Sequence, residues 1–383
     1  MTKTTPPEGG FGIYIHWPFC QAKCPYCDFN SHVSASVDHD AWRAALLADL
    51  DAQIAWIGKR DLQSIFFGGG TPSLMEPKTV DALLNHIHKN FSVASDLEVT
   101  FEANPTSVEA EKFADFRKAG VNRVSVGVQS LRDDDLRALG RLHSADEAKQ
   151  AIEIAQKHFE RMSFDLIYAR QHQTAKAWED ELKEAIALAA DHLSLYQLTI
   201  EDGTAFGARY AAGKLDGLPD DNLSADLYDL THQICNDAGL HRYEVSNYAK
   251  EGCESRHNLI YWRYGDYLGI GPGAHGRVTI NGQKYATITP LAPQDYLDAV
   301  KSGKTDWRDE DLSNRDIFIE TALMGLRLRE GIELNRLDGL GESLNETAIS
   351  DYVAEGILQR TGNRLSVTQN NFIILNQILR DIL

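Results

Sequence analysis

Apolar, strand-like runs alternate with amphipathic segments through the first two-thirds of the chain. Runs rich in β-branched and aromatic residues predict six strands, at residues 12–17, 64–67, 98–102, 123–128, 162–168 and 192–199. Apolar positions recur at helical spacing between them and predict helices at residues 40–57, 77–90, 107–119, 145–158 and 174–190. This alternation predicts an α/β fold with a parallel sheet of βα units.

Nearly every predicted strand ends in polar or glycine-rich sequence. The first strand leads to Cys20, the second to the glycine-rich residues 68–71, the third to Glu102 and the fourth to Gln129, and the fifth contains Asp165. Parallel α/β folds collect their chemistry at the carboxyl ends of the strands. Six βα units predict a partial, TIM-like (β/α)6 barrel, whose open side would admit a large substrate.

The last third of the chain has a different sequence texture. After a helix expected at residues 222–239, residues 242–276 are dense in glycine and aromatic residues, which predicts an irregular, surface-building region. Short helices, a strand pair at 357–360 and 364–367, and a final helix predict a small α-rich, winged-helix-like C-terminal domain. The predicted domains are a core at 5–243, a connecting region at 244–310 and a C-terminal domain at 311–383.

Charge and composition narrow the classes of partner. The formal net charge of −18 argues against non-specific binding to nucleic acid or to anionic lipid surfaces. Without an apolar run of about 18 residues, we expect no integral membrane segment. The first ten residues lack an apolar signal core, and five cysteines with three clustered fit a reducing compartment. These features predict a cytoplasmic protein.

Three clustered cysteines carry the clearest chemical signal. Cys20, Cys24 and Cys27 have the spacing C-x3-C-x2-C. Three thiolates can hold a four-iron cluster and leave one iron without a protein ligand, which gives an open coordination position. A structural zinc site would need a fourth ligand, and His16 and His32 flank the run. A Cys3His zinc site is therefore the alternative.

The glycine-rich segment at residues 68–71 changes the balance between these two sites. Consecutive glycines permit positive φ and let backbone N–H groups approach a ligand, although such runs often form ordinary turns. No Lys-Ser/Thr pair follows, so the segment is not a phosphate-binding Walker loop. Downstream of three cysteines, it favours the iron–sulfur cluster.

The pairing of C-x3-C-x2-C with GGGTP resembles the radical S-adenosylmethionine superfamily. In that superfamily S-adenosylmethionine chelates the open iron, and its reductive cleavage gives a 5′-deoxyadenosyl radical. The runs YIHWPFC, FEANP, RVSVGVQS, FDLIY and YLGIGPGAHG further resemble the branch that contains oxygen-independent coproporphyrinogen III oxidase. The resemblance spans nearly the whole chain and implies a barrel of the radical S-adenosylmethionine type.

Two features separate the activities within this branch. The oxidases carry a further cysteine at the position of Phe29, and residues 257–262, HNLIYW, resemble the HNxxYW signature of the branch's haem chaperones. The resemblance implies a haem-binding chaperone that delivers haem to an acceptor, such as a respiratory haem protein. A homodimer is an expectation from the resemblance alone. Oxidative decarboxylation of coproporphyrinogen III is the alternative activity.

The resemblance also implies individual roles. Cys20, Cys24 and Cys27 would ligate the [4Fe–4S] cluster. His257 would ligate haem, as neutral imidazoles commonly do. S-adenosylmethionine would be contacted by Tyr14, Tyr26, Gly69, Gly70, Thr71, Glu102, Gln129, Arg141 and Asp165.

Purely structural roles are the alternatives for several of these residues. His257 could cap a turn while Tyr261 fills a local core, and Glu102 and Asp165 could cap helices. Relatives usually continue FDLIY with Gly-Leu-Pro, but this chain has residues 169–171, ARQ, at that place. We therefore expect a shifted loop after Asp165.

Overall fold

The computed structural model describes residues 9–383. The predicted start of the core domain, at residue 5, lies outside this range. So do most of the first ten residues, which were expected to lack a signal sequence. The described strands are β1 Phe11–Trp17, β2 Phe19–Cys20, β3 His32–Val33, β4 Asp61–Gly69, β5 Ser92–Ala103, β6 Arg123–Gln129, β7 Arg161–Tyr168, β8 His192–Gln197, β9 His241–Arg242, β10 Asn247–Ala249, β11 Asp266–Ile270, β12 His275–Ile280, β13 Gln283–Ile288, β14 Arg308–Asp311, β15 Ile332–Glu333, β16 Leu358–Thr361 and β17 Arg364–Val367.

Helices lie between most of these strands. They are α1 His39–Ile57, α2 Pro77–Asn90, α3 Ser107–Ala110, α4 Phe113–Ala119, α5 Asp133–Ala138, α6 Ala145–His158, α7 Ala175–Leu188, α8 Ala205–Ala211, α9 Asp221–Asp237, α10 Arg256–Trp262, α11 Pro293–Lys301, α12 Asn314–Gly325, α13 Glu346–Ala354 and α14 Leu375–Ile382. No helix in the range 9–383 is both long and apolar enough to cross a membrane.

Six parallel strands in chain order form the centre of the fold. β1, β4, β5, β6, β7 and β8 are neighbours in one sheet, with Gly12 opposite Ser64 at the start of β1 and β4. Each corresponds to one of the six predicted strands, which confirms the partial (β/α)6 barrel. The alternation of β1 explains its position, because Phe11, Ile13 and Ile15 are buried in the main hydrophobic core.

The expectation of irregular structure at residues 242–276 is wrong. β11 pairs in parallel with β1, and β12, β13 and β14 extend the same sheet with antiparallel pairing. Two of the glycines in this region, Gly269 and Gly276, lie inside strands at close approaches. A Cβ atom on Gly269 would lie 2.2 Å from the carbonyl oxygen of His275, so only glycine fits there.

The C-terminal segment has a hydrophobic core of its own. Phe318, Leu365 and Ile378 are among its buried residues. A three-stranded sheet of order β15-β17-β16 accompanies α12, α13 and α14, as expected for a winged-helix-like, helix-rich domain. The predicted strand pair is confirmed as β16 and β17. The domain boundaries at residues 243 and 310 stay predictions.

Candidate functional site

A cavity of about 140 Å³ lies at the carboxyl ends of the barrel strands. Eleven of the thirteen predicted site residues line it: Cys20, Cys24, Cys27, Tyr26, Gly69, Gly70, Thr71, Glu102, Gln129, Arg141 and Asp165. They come from the segment after β1 and from the ends of β4, β5, β6 and β7, together with the turn before α6. The parallel sheet therefore brings together residues that are far apart in sequence.

The cysteine-bearing loop is anchored by a short parallel strand pair. Phe19 of β2 lies opposite His32 of β3, and the His32 N–H donates to the carbonyl oxygen of Pro18 at 2.7 Å. Within the loop, the Cys27 N–H donates to the Cys24 carbonyl oxygen at 3.2 Å. The loop thus holds all three thiols against one cavity.

Hydrogen-bond donors approach two of the sulfur atoms. Thr71 Oγ1 donates to Cys20 Sγ, and Arg141 Nη1 donates to Cys24 Sγ, each at 3.3 Å. Burial raises the pKa of both the Cys20 and Cys27 thiols, so metal binding has to displace protons from them. Donors aimed at sulfur stabilise thiolates, which fits cluster ligands.

The same geometry argues against the Cys3His zinc site. His16 Nε2 is 2.8 Å from the Asn30 carbonyl oxygen, and His32 Nε2 is 3.1 Å from Asn30 Oδ1. Across residues 9–383, no three His, Cys, Asp or Glu side chains converge as ligands of a single metal ion. A tetrahedral site would need such convergence, whereas cluster ligands stand around a wider group.

The glycine-rich loop packs directly against the cysteine segment. Gly69 has a φ of 108°, and a Cβ atom on it would lie 2.5 Å from the His16 ring. The Gly70 N–H donates to the Trp17 carbonyl oxygen at 2.7 Å, and the Thr71 N–H to that of Phe19 at 2.8 Å. Two of the N–H groups expected to reach a ligand therefore hold the cysteine segment instead.

Two half-buried carboxyl groups face the cavity. Burial, reinforced by the charge of Asp165, raises the pKa of Glu102 to about 8, and the Gly69 N–H donates to Glu102 Oε2 at 3.3 Å. Burial raises the pKa of Asp165 to about 6, against the opposing hydrogen bonds from Ser194 and Ser125. These groups do not cap helices. They are desolvated acids poised to bind a cationic or hydroxyl-bearing ligand.

Gln129 and Arg141 occupy constrained positions at the cavity wall. Gln129 has a φ of 70°, and the register of β6 against β7 shifts between Val126 and Gln129. Such left-handed backbone in a non-glycine residue is costly and clusters at functional sites. The Arg141 side chain is fixed in the cavity wall, because its Nη2 donates to Gly127 O at 2.8 Å and to Asn104 Oδ1 at 2.7 Å.

Asn104 is a cavity residue that sequence reasoning missed. Its Nδ2 donates to Thr71 Oγ1 at 3.2 Å while its Oδ1 accepts from Arg141, so it joins the two residues that contact the cysteine sulfurs. The signal was available, since Asn104 follows Glu102 by two residues in FEANP at the end of β5.

Tyr14 lies beneath the cavity and does not line it. A Cβ atom on Gly68 would lie 2.8 Å from Tyr14 Cε2, and the Tyr14 hydroxyl is 3.1 Å from His16 Nδ1. Burial raises the pKa of Tyr14 well above its usual value, and the charge of Glu102 adds to this effect. Tyr14 therefore supports the glycine loop from below.

His257 lies at the opposite end of the barrel. The N–H group of His257, in the first turn of α10, donates to Glu98 Oε1 at 3.3 Å, and the ring packs on Phe66 with centroids 5.0 Å apart. Its Nδ1 is 2.8 Å from Ser64 Oγ and its Nε2 is 2.7 Å from the Tyr261 hydroxyl. The side chain is 1% exposed. Both ring nitrogens are thus occupied, and the structure does not bring His257 to the cysteines.

The loop after Asp165 differs from the Gly-Leu-Pro pattern without displacing that carboxyl group. Ala169 has a φ of 58°, a conformation that glycine adopts more readily. Arg170 is buried, and its guanidinium group pairs with Glu181 and, at 2.8 Å, with Asp135. The expected shift of this loop leaves Asp165 in the cavity wall.

Comparison with known proteins places the chain in a family. Residues 14–185 match the Radical SAM superfamily, and residues 312–372 match the HemN C-terminal domain. The chain is 39% identical to the heme chaperone HemW of Escherichia coli (strain K12), over 96% of each chain. The chain belongs to the HemW family. Its fold matches that of Escherichia coli coproporphyrinogen III oxidase (HemN), with a TM-score of 0.81, 20% identity, and coverage of 98% of this chain and 89% of that one.

A eukaryotic relative is similar over almost the same length. Radical S-adenosyl methionine domain-containing protein 1, mitochondrial, of Danio rerio is 37% identical over 97% of this chain and 86% of its own. As a HemW-family member, the chain carries a radical S-adenosylmethionine domain, which implies a [4Fe–4S] cluster and S-adenosylmethionine. The three cysteines and their sulfur-directed donors fit that cluster.

Phe29 distinguishes this HemW-family chain from the oxidase pattern. It occupies the position of the oxidases' additional cysteine, it lines the cavity, and its side chain is 58% exposed. With phenylalanine at this position, the cavity has three thiols.

Proposed function

We propose that this chain is a haem chaperone, which binds haem and transfers it to an acceptor protein on a radical S-adenosylmethionine scaffold. The near full-length similarity to the heme chaperone HemW supports this function. The observation that carries it is Phe29 in the cavity wall, since the oxidase branch has a cysteine there. The site therefore offers three cluster ligands and an apolar surface beside them.

We infer that Cys20, Cys24 and Cys27 hold the [4Fe–4S] cluster. When bound, this group supplies an iron with an open coordination position. Thr71 and Arg141 would hold the sulfurs by hydrogen bonds, with Asn104 fixing both donors. Tyr26, Gly69, Gly70, Thr71, Glu102, Gln129, Arg141 and Asp165 would contact S-adenosylmethionine, and Tyr14 would support the loop from below.

His257 as a haem ligand stays a prediction. Ligation would require the ring to give up either Ser64 or Tyr261, both of which it contacts within 2.8 Å. Burial and the charge of Arg123 lower the pKa of His257 to about 3, so the ring is neutral at physiological pH. We infer that its first role is to fasten helix α10 to the barrel.

The location and the partners are part of the same proposal. The reduced-thiol composition supports a cytoplasmic location, and an acceptor among respiratory haem proteins follows from the family resemblance. A homodimer is proposed on the same ground. The net charge of −18 opposes nucleic acid as a partner.

Coproporphyrinogen III oxidation is the second candidate function. The complete set of carboxyl, amide and guanidinium groups at the strand ends favours it, together with the fold shared with HemN. The test is an anaerobic turnover assay with the cluster reconstituted and S-adenosylmethionine and a reductant present. The chaperone proposal expects no protoporphyrinogen from protein with a full iron content. Product formation at a steady rate would replace it with the oxidase function.

A further inference from the structure

A second, larger cavity borders the cysteine loop on the outside of the barrel. It is a groove of about 560 Å³, four times the volume of the cavity that holds the three cysteines, and within the usual range of small-molecule sites. Cys20 lines both cavities. A ligand in this groove would therefore lie beside the cluster without occupying the S-adenosylmethionine cavity.

Two neighbouring segments of the groove lining expose large apolar side chains. Val108 is 65% exposed and Leu142 is 63% exposed, and both line the groove together with Trp17 and Leu74. Apolar residues exposed around one concave surface mark an interaction site. A flat, apolar ligand would remove these side chains from water.

His39 supplies a metal-ligating group in the same groove. It is the first residue of α1, and its ring stacks on Trp17 with centroids 5.7 Å apart and an interplanar angle of 13°. Its Nδ1 is buried and has no hydrogen-bond partner within the described part of the chain. With the proton on Nδ1, the lone pair on Nε2 is free for a metal ion, in contrast to the occupied ring of His257.

Lys112 adds the charge that an acidic ligand would need. It is half-buried in the groove lining, and its charge acts on the Glu109 carboxyl group of the same lining. The two carboxylates of the lining are already engaged. Glu109 accepts from the Asn104 N–H at 3.0 Å, and Glu147 closes the capping box with Ser144 at the start of α6. Lys112 is thus the one lysine or arginine that residues 9–383 contribute to a lining that mixes apolar side chains with serines, a threonine and a glutamine.

Haem has three properties that match groups in this groove: apolar faces for Val108 and Leu142, a metal that takes imidazole, and carboxylates at one edge for Lys112. We propose that haem binds in this groove, with His39 as its axial ligand and Lys112 beside a propionate. The proposal rests on the proposed haem-chaperone function and names its cargo site. Haem held there would share Cys20 with the cluster cavity, so the presence of the cluster would affect haem binding.

The test is an anaerobic haem titration of the full chain carrying its cluster, followed by the Soret absorption. The variants are His39→Ala, His257→Ala and Lys112→Gln, and His172→Ala serves as the control because His172 is an exposed loop histidine. We expect His39→Ala to weaken haem binding at least about tenfold and to lose the imidazole-ligated spectrum. Added imidazole should restore that spectrum, and Lys112→Gln should weaken binding without changing it.

The outcomes separate this site from the function on which it rests. A wild-type chain that shows no saturable haem binding would remove the chaperone proposal itself. If the wild-type chain binds haem and His39→Ala retains the same affinity and spectrum, the groove is not the haem site. The proposed chaperone function would then still stand. Loss of binding in His257→Ala, with an unchanged cluster absorption and unfolding midpoint, would assign haem to His257. Unchanged binding in His172→Ala is required for any of these assignments.

Discussion

At the scale of single residues, the raised pKa of Glu102 affects both the stability of the fold and the binding of a ligand in the cavity. Its carboxyl group is desolvated beside Asp165, and the raised pKa of about 8 means that the folded protein retains a proton there at neutral pH. The unfolded chain releases that proton above about pH 4.5. The contribution of Glu102 to stability therefore falls as the pH rises from about 4.5 to 8.

The corresponding variant is Glu102→Gln. We expect its thermal midpoint to exceed that of the wild type at pH 8 and to match it near pH 4, because the desolvated charge is removed. S-adenosylmethionine binding, measured by calorimetry on cluster-loaded protein, should weaken. The exposed Glu111→Gln carries the same charge change and should alter neither quantity. A Glu102→Gln chain with unchanged ligand affinity would exclude Glu102 from the site.

Ala169 gives a second prediction at this scale. Its φ of 58° costs about 1 kcal/mol or more for a residue with a Cβ atom, and glycine avoids that cost. Ala169→Gly should raise the free energy of unfolding by about 0.5 kcal/mol, after the entropy of the unfolded chain is subtracted. Ala212→Gly, at a φ of −86°, should lower it. Denaturant unfolding compares the two, and a destabilised Ala169→Gly would contradict this account of the loop.

At the scale of elements, the six barrel strands could be predicted from the sequence. The further strands β11 and β12, which extend the same sheet, could not. The six barrel strands carry apolar runs that end in polar residues, so both their positions and the convergence of the cavity residues followed from sequence. β11 and β12 did not, because Gly269 and Gly276 interrupt the pattern and their strand conformation depends on pairing with β1 and β13. The place of His257 was also hidden, since nothing local shows that α10 packs at the amino end of the barrel.

A side chain added to the glycine-rich loop at residues 68–71 should disrupt the packing of this loop on the cysteine segment. A Cβ atom on Gly70 would lie 2.8 Å from the Phe19 carbonyl oxygen and 2.9 Å from the Pro18 carbonyl carbon, so backbone would have to move. We expect Gly70→Ala to bind substantially less iron after reconstitution, measured by iron analysis and absorption. Gly58→Ala meets no atom within 4 Å; its φ of 72° should cost stability, but at the end of α1, so the variant should keep its iron. Full iron loading in Gly70→Ala would show that the packing of this loop on the cysteine segment is dispensable.

Helix α10 gives the second prediction at this scale. Removing the His257 ring leaves the hydroxyl groups of Ser64 and Tyr261 without their partner inside the barrel. His257→Ala should therefore lower the free energy of unfolding by about 2 to 3 kcal/mol, read from denaturant midpoints. Asn258→Ala changes the neighbouring residue of the same motif and should cost less than about 1 kcal/mol. Equal, small losses in both would mean that His257 does not fasten the helix.

At the scale of the whole molecule, the two ends of the barrel have different properties. The carboxyl end carries the three cysteines, the cavity that they line and an adjoining larger groove, whereas α10 and the buried Glu98 occupy the amino end. The signature residues HNLIYW therefore stabilise the barrel at its amino end. The residues expected to bind the cluster and S-adenosylmethionine lie at its carboxyl end. Haem bound beside the cluster would lie against Cys20, so haem binding would change the surroundings of the cluster.

The central claim is that the chain carries haem as cargo, and haem transfer tests it most directly. Cluster-loaded protein saturated with haem would be mixed anaerobically with the apo form of a respiratory b-type cytochrome, and the acceptor's absorption followed in time. The account predicts that haem moves to the acceptor at a rate that rises with acceptor concentration, as direct handover requires. A rate independent of acceptor concentration, equal to that of spontaneous haem loss, would contradict it.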